Sequence, residues 1–330
     1  MQIGLIGCGR IGYVHALSID TIENTNLLMV SDPLVQNAER IADRFDAQMS
    51  SSDEIIASDA IDAIIIATPT PSHYDLIKSA CEAGKAIFCE KPMDLDSNRI
   101  RKSIGFIESA NVPFMTAFNR RFDKNFANMK ARISEGDIGN VEILTILSRD
   151  PSPPPIDYIK SSGGIFKDMM IHDFDMARFL LGEEFISVHA VGSALVDPEI
   201  GKAGDVDTAA VTMTTESGKI CQISNSRRAT YGYDQRVEVH GSKGMLRAGN
   251  ILENTVELSN ASGIINANTE HFFLERYKEA YISELRHFVE TINAGTPLHP
   301  SALDGLKAQL LAEAAERSMQ SGEVTKPASN

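Results

Sequence analysis

Over residues 1–118, short β-branched apolar runs alternate with amphipathic segments of helical period, the pattern of βαβ units wound into a parallel sheet. The runs predict strands at 2–6, 27–31, 63–67, 86–89 and 113–117, with helices at 10–19, 35–44, 72–83 and 97–109 between them. Gly84 stands where a helix C-terminal glycine is expected, and Ser72 and Ser97 stand where a hydroxyl could cap a helix start. In an open parallel sheet, ligands bind outside the carboxyl ends of the strands, where the strand order reverses. That rule singles out three loops, 7–12, 68–73 and 90–93.

After about residue 120 the pattern changes. Longer alternating runs at 141–148, 186–196, 208–215, 219–225 and 236–240 are separated by turn signals such as Glu216-Ser217-Gly218 and Gly241-Ser242-Lys243-Gly244, as in an antiparallel meander. Helical periodicity returns at 164–181, 278–293 and 301–318. Pro151, Pro153, Pro154 and Pro155 impose extended geometry on a loop, and the tail from Thr325 to Asn330 is expected to fray. The predicted architecture is α/β. Residues 1–118 form a doubly wound parallel sheet of Rossmann type. Residues 119–330 form an α+β domain with a large, mostly antiparallel sheet faced by helices, the C-terminal helix packing back on the first domain.

Composition narrows the partners. The chain is 43% hydrophobic and 23% charged, ordinary values for a globular protein, and carries a formal net charge of −14, which disfavours nucleic acid and anionic membrane. No basic leader precedes the first strand, and no apolar run approaches the roughly 20 residues of a membrane span. Cys8, Cys81, Cys89 and Cys221 form no CxxC pair, which suits a reducing, cytoplasmic compartment.

The first candidate chemistry lies in the loop Gly7-Cys8-Gly9-Arg10-Ile11-Gly12, which follows an apolar strand and opens a helix. In a Gly-x-Gly-x-x-Gly turn the first glycine allows the tight bend, the second lets backbone approach a pyrophosphate, and the third lets helix and strand pack closely. The helix start offers free N–H groups to phosphate. Asp32 follows 20 residues after Gly12. A carboxylate there accepts from ribose hydroxyls and repels a 2′-phosphate, favouring NAD over NADP. Without that context the glycines would mark only a structural turn.

A predicted helix carries Asp168 and His172 four residues apart, hence on one face, with Asp175 three residues further. A carboxylate beside an imidazole fixes its tautomer and stabilises the imidazolium formed when it takes a proton. A solvated helix start is the bland alternative. Metal ligation is another, but no further His or Cys pair at ligand spacing supports it, so no metal is assigned. Lys91, after an apolar strand in Glu90-Lys91-Pro92, could point at the cofactor crevice and stabilise an alkoxide, or could be a surface lysine at a strand end. The stretches from Phe118 to Asp123 and from Arg228 to Arg236 mix polar donors with aromatics, suiting a polyhydroxylated ligand. Among the remaining histidines only His73, in the loop containing Thr68, is a candidate; His15, His189, His240 and His299 read as packing or surface residues.

Taken together, the glycine loop, Ala67-Thr68-Pro69, Glu90-Lys91-Pro92 and Asp168-x-x-x-His172 resemble the glucose–fructose oxidoreductase/inositol dehydrogenase family over essentially the whole chain. Ser148-Arg149-Asp150-Pro151, Gly163-Gly164-Ile165-Phe166 and the segment from Arg227 to Arg236 resemble its inositol dehydrogenase branch. The resemblance implies oxidation of myo-inositol to 2-keto-myo-inositol with hydride transfer to NAD, or of another cyclitol or sugar by the same chemistry. It implies Lys91, Asp168 and His172 as the catalytic set, His172 being the general base. Gly7, Gly9, Arg10, Ile11, Gly12, Asp32, Thr68, His73, Glu90 and Lys91 would hold NAD, while Arg121, Asp175 and Tyr233 join the catalytic set in binding the polyol. It implies a homo-oligomer, a tetramer, formed through open sheet faces. The alternative of an NAD-binding regulator would predict loss of Lys91, Asp168 or His172, and all three are present.

Overall fold

A computed structural model describes residues 1–329. It divides into two compact units, Met1–Phe122 with Glu279–Gln309, and Asp123–Lys278 with the residues from Leu310 on. In the first unit the chain runs β1 (Gln2–Ile6), α1 (Arg10–Asp20), β2 (Asn26–Ser31), α2 (Val35–Phe45), β3 (Gln48–Met49), α3 (Ser52–Ala57), β4 (Ala63–Ile66), α4 (His73–Glu82), β5 (Ala86–Glu90), α5 (Ser97–Ala110) and β6 (Phe114–Ala117). Its six strands are ordered β3-β2-β1-β4-β5-β6, all parallel, so the order reverses between β1 and β4. The two-residue β3 and the short α3 went unseen in the sequence because neither is long enough to show a period.

The second unit contains α6 (Lys124–Glu135), β7 (Val141–Arg149), α7 (Ile156–Ser162), α8 (Gly164–Asp168), α9 (Ile171–Leu181), β8 (Phe185–Ser193), α10 (Pro198–Lys202), β9 (Thr208–Thr215), β10 (Ile220–Ser226), β11 (Asp234–Gly241), β12 (Gly244–Ala248), the exposed ribbon β13 (Glu257–Asn260) and β14 (Gly263–Asn266), and α11 (Phe273–Arg276). The six-stranded sheet is ordered β12-β11-β7-β10-β9-β8, and only the β7–β10 pair is parallel. Ala209, Val211, Met213 and Thr215 are buried on one side of β9, and Ala210 and Thr212 are exposed on the other, the two-residue alternation of a half-covered sheet.

The chain then forms α12 (Lys278–Ala294) and α13 (Ala302–Ser321). A single boundary at residue 118 would leave Glu279–Gln309 outside the first unit, where the structure includes it. Leu285, Phe288 and Val289 of α12 share one core with Ile3, Leu5, Ile65 and Phe88 of the sheet. At about 1.5–3 kcal/mol for each fully buried large apolar side chain, these three anchor the segment firmly.

Four local expectations are corrected. Helix 164–181 is interrupted: the Ile165 carbonyl accepts from both Met169 (3.1 Å) and Met170 (2.8 Å), widening the turn between α8 and α9. Strand 186–196 stops at Ser193 because buried Asp207 captures the N–H groups of Leu195 (2.9 Å), Val196 (2.9 Å) and Asp197 (3.0 Å). Helix α5 is capped by Asp96, one residue before Ser97, and Ser72 makes no capping bond. The tail is held at Thr325, which exchanges backbone bonds with Val188 (2.8 and 2.9 Å); Asn330 lies outside the described residues.

Candidate active site

The loops at the β1/β4 reversal pack at backbone contact. A Cβ on Gly12 would lie 1.9 Å from the Gly7 carbonyl oxygen, and one on Gly7, at φ +100°, would lie 2.5 Å from the Ala67 backbone, so both positions exclude side chains. Gly9 differs: a Cβ there meets nothing within 4 Å. Gly9 is the N-cap of α1 and supplies no side-chain bond to the first-turn N–H groups. An open glycine before an uncapped helix fits a pyrophosphate.

Asp32 lies beside this loop. Its Oδ2 accepts from the Cys8 N–H (2.7 Å) and its Oδ1 from Leu34 N–H (2.8 Å) and Asn37 (3.3 Å), which fixes the carboxylate while leaving lone pairs for a ribose hydroxyl. Arg40 donates to the Cys8 carbonyl (3.0 Å), so a cation stands at the same loop. Burial, then the Asp32 charge, pushes the Cys8 thiol up to about 12, leaving it protonated and a filler.

The other two loops are joined by His73. Its Nε2 lies 2.8 Å from the Thr68 carbonyl and its Nδ1 lies 2.9 Å from the Pro92 carbonyl; the neutral ring, with one N–H, donates to one of these carbonyls and packs against the other. Burial lowers its pKa, opposed by the two carbonyls and by Glu90 and Asp94. The Thr68 hydroxyl accepts from Ser72 (2.6 Å). Sequence reasoning missed His15: fully buried on α1, its Nε2 lies 2.7 Å from Glu90 Oε1, and Glu90 Oε2 accepts from the Lys91 N–H (3.2 Å). The partners are 75 residues apart in sequence, so no local spacing signals the pair.

In the second unit Asp168 is the last residue of α8 and His172 the second of α9, so the uninterrupted-helix argument for their pairing does not hold. Asp168 accepts from the Tyr158 hydroxyl (2.9 Å) and faces the Arg227 guanidinium at 3.3 Å. Arg227 is 1% exposed and also approaches Asp205 (3.9 Å), whose pKa burial raises against the pull of Ile165 and Val206 N–H and the Arg227 charge. The Asp207 carbonyl accepts from Arg227 N–H (2.8 Å), fixing the arginine's backbone. Desolvation raises the Asp207 pKa, but four hydrogen bonds to its carboxylate win and the net direction is down.

The remaining expected contacts are firmly held. Arg121 pairs with Asp304 (3.0 Å), which in turn accepts from Ser301 N–H (2.8 Å) at the start of α13. Asp175 is buried 3.9 Å from Arg178, which also pairs with Glu184 (2.8 Å). Tyr233 is buried edge-on against Tyr277, with ring centres 6.0 Å apart. Ser148 is buried and accepts from Gln235, and Asp150 N–H donates to Ser226 (3.0 Å), which gives that stretch a sheet-end role.

Comparison with known proteins decides the family. Residues 1–118 match the NAD-binding Rossmann domain of an oxidoreductase family, and residues 126–247 match the GFO/IDH/MocA C-terminal domain. The chain belongs to the GFO/IDH/MocA family. As a member, it is 50% identical over 319 residues to an inositol 2-dehydrogenase of Rhizobium meliloti, covering 97% of each chain. It is 45% identical over 322 residues to a myo-inositol 2-dehydrogenase of Thermotoga maritima, covering 97% of this chain and 96% of that one. The crystal structure of scyllo-inositol dehydrogenase from Lactobacillus casei, with NAD(H) and scyllo-inositol bound, superposes with a TM-score of 0.93 at 32% identity, covering 100% of this chain and 99% of that one. This GFO/IDH/MocA member is an NAD-dependent oxidoreductase.

Two expectations follow. Asp32→Ser should weaken NAD binding and narrow the preference for NAD over NADP by about tenfold or more, because repulsion of a 2′-phosphate is removed while Arg40 stays; titration of both cofactors by calorimetry checks it. Arg227→Met should leave Asp168 and Asp205 without their shared cation and cost about 3–5 kcal/mol at pH 7. A carboxyl whose folded pKa is raised loses stability as pH rises through that value, so the deficit in Tm should shrink on acidification as Asp205 takes up its proton. Calorimetry showing a pH-independent deficit would contradict it.

Proposed function

We propose that the protein oxidises myo-inositol at C2 to 2-keto-myo-inositol (scyllo-inosose) with reduction of NAD, a step of inositol catabolism. The observation that carries this reading is the 50% and 45% identity, over 97% of the chain, to proteins named for that reaction. Bound NAD supplies the hydride acceptor. The glycine loop (Gly7, Gly9, Arg10, Ile11, Gly12) holds its pyrophosphate, Asp32 its ribose, and the loops of Thr68 and Glu90 the remainder. His73 contributes by holding those two loops together.

A hydride leaves an alcohol carbon readily only as the hydroxyl loses its proton. In our reading His172 takes that proton, Asp168 orients it and accepts from a neighbouring hydroxyl, and Lys91 donates to the oxygen as negative charge develops. Tyr158 and Arg227 fix the Asp168 carboxylate, a positioning that the sequence did not reveal. Arg121, Asp175 and Tyr233 bind further hydroxyls. A polyol site built from paired polar groups rejects analogues that leave one unpaired.

We read the protein as a cytoplasmic homotetramer. Among the described residues no helix is long and apolar enough to cross a membrane. The uncovered face of the second-unit sheet supports self-association. It carries rows such as Val191, Ala210, Ser224 and Leu147, and His189, Thr212, Gln222 and Thr145. That face alternates apolar with hydroxyl and amide side chains, a mixture common at interfaces.

The L. casei structure with scyllo-inositol favours one second reading, oxidation of a different cyclitol. Purified protein with NAD should form NADH fastest with myo-inositol in a panel that includes scyllo-inositol and aldoses. A higher kcat/KM for another member would overturn the substrate assignment. His172→Ala should lower kcat by about 10²–10⁴-fold with NAD affinity kept, and a normal kcat would remove His172 from the role of base.

A further inference from the structure

The tripeptide Glu90-Lys91-Pro92 is flanked on both sides by buried histidines that take no part in the proposed proton or hydride transfer. On the N-terminal side, His15 reaches from the inner face of α1 to Glu90 Oε1 (2.7 Å), and Glu90 Oε2 accepts the Lys91 N–H (3.2 Å). On the C-terminal side, the buried His73 ring is wedged between the Pro92 carbonyl (2.9 Å) and the Thr68 carbonyl (2.8 Å), donating its one N–H to one of them and packing against the other. His15 and His73 are 0% and 1% exposed. Beyond Pro92, the Met93 side chain packs against α13 at Gly305, where a Cβ would sit 2.7 Å from the Met93 sulfur.

His15 is a costly way to fill a core. Its ring packs edge-on against Phe88 (5.1 Å between centres) and Tyr281 (5.9 Å), a site an apolar side chain could occupy. Its Nδ1 is buried with no hydrogen-bond partner, so Glu90 is the one hydrogen-bonded polar anchor of the ring. Packing alone would favour leucine. The pair makes sense if the orientation of Glu90, and through it the Lys91 backbone, matters. His15 lies three residues after Gly12, on the helix that begins at the proposed pyrophosphate cradle, and His73 opens the helix after the Thr68 loop.

We propose that His15 and His73 are positioning residues that lock Lys91 to the two cofactor loops, so that the lysine's placement is set by the elements that hold NAD. The inference rests on the reading of Lys91 as a group acting on the reacting oxygen. A displacement of about 1 Å at such a group costs on the order of 10²-fold in rate, so modest loosening of the tripeptide is enough.

The test is a double-mutant cycle with NAD and myo-inositol, using Lys91→Met, His15→Leu, His73→Leu and the conservative His15→Gln, whose amide can still donate to Glu90. His15→Leu should lower kcat about 10–100-fold while NAD affinity by calorimetry changes less than about threefold, and His73→Leu should lower kcat by a larger factor than it lowers NAD affinity. In the Lys91→Met background the same substitutions should cost less than about threefold more, because the group they position is gone. His15→Gln should recover most of the kcat lost in His15→Leu. In the cofactor-free protein, hydrogen exchange at the Lys91 amide should speed up in His15→Leu and return toward the parent rate in His15→Gln. Fully multiplicative losses on top of Lys91→Met, loss of NAD affinity equal to the loss of kcat, or unchanged exchange at Lys91 would overturn the inference alone. A normal kcat for Lys91→Met would overturn the role of the lysine and the inference with it. If the leucine variants do not fold, the His15→Gln protein and a Glu90→Gln protein run through the same cycle decide it.

Discussion

The contact between Gly12 and the Gly7 carbonyl sets the first unit's geometry. With only 1.9 Å available to a Cβ, helix α1 lies directly against the carboxyl end of β1 because residue 12 carries no side chain. That seating places the first turn of α1, which has no side-chain cap, beside the open Gly9, and it turns His15, three residues after Gly12 on the same helix, inward to meet Glu90 at 2.7 Å. The cofactor cradle and the backbone of Lys91 are thus consequences of one steric exclusion. A methyl group at residue 12 would disturb both.

In the second unit the organising feature is electrostatic. Asp207 binds three consecutive backbone N–H groups, ends β8, and offers its carbonyl to Arg227. Arg227 in turn stands between Asp168 and Asp205 with 1% of its surface exposed. A buried guanidinium is tolerable only with such partners, because uncompensated burial of a charge costs several kcal/mol. The arrangement determines where the Asp168 carboxylate lies, and the Tyr158 hydroxyl completes it.

What was legible in the sequence was local. The glycine spacing, the acid after β2 and the β-branched runs each carry their meaning within a few residues, and apart from β3 and α3 the strands and helices up to residue 118 fall within a residue or two of expectation. The break between α8 and α9 has no proline or glycine to announce it; it arises where Met170 takes a bond to Ile165 one residue longer than helical. His15 with Glu90, and Asp168 with Arg227, are separated by 75 and 59 residues. Their charges and types are visible in the chain, but their pairing is a product of the fold. The candidate catalytic residues were therefore readable as types, whereas the groups that hold them were not.

The central claim is that a hydride leaves C2 of myo-inositol for NAD on this protein. The most direct measurement is a single turnover with myo-inositol carrying deuterium at C2, followed by mass analysis of the reduced cofactor. The account predicts one deuterium in the NADH formed and a slower turnover than with unlabelled substrate. NADH formed without the label, or no reduction of NAD by myo-inositol at all, would contradict it.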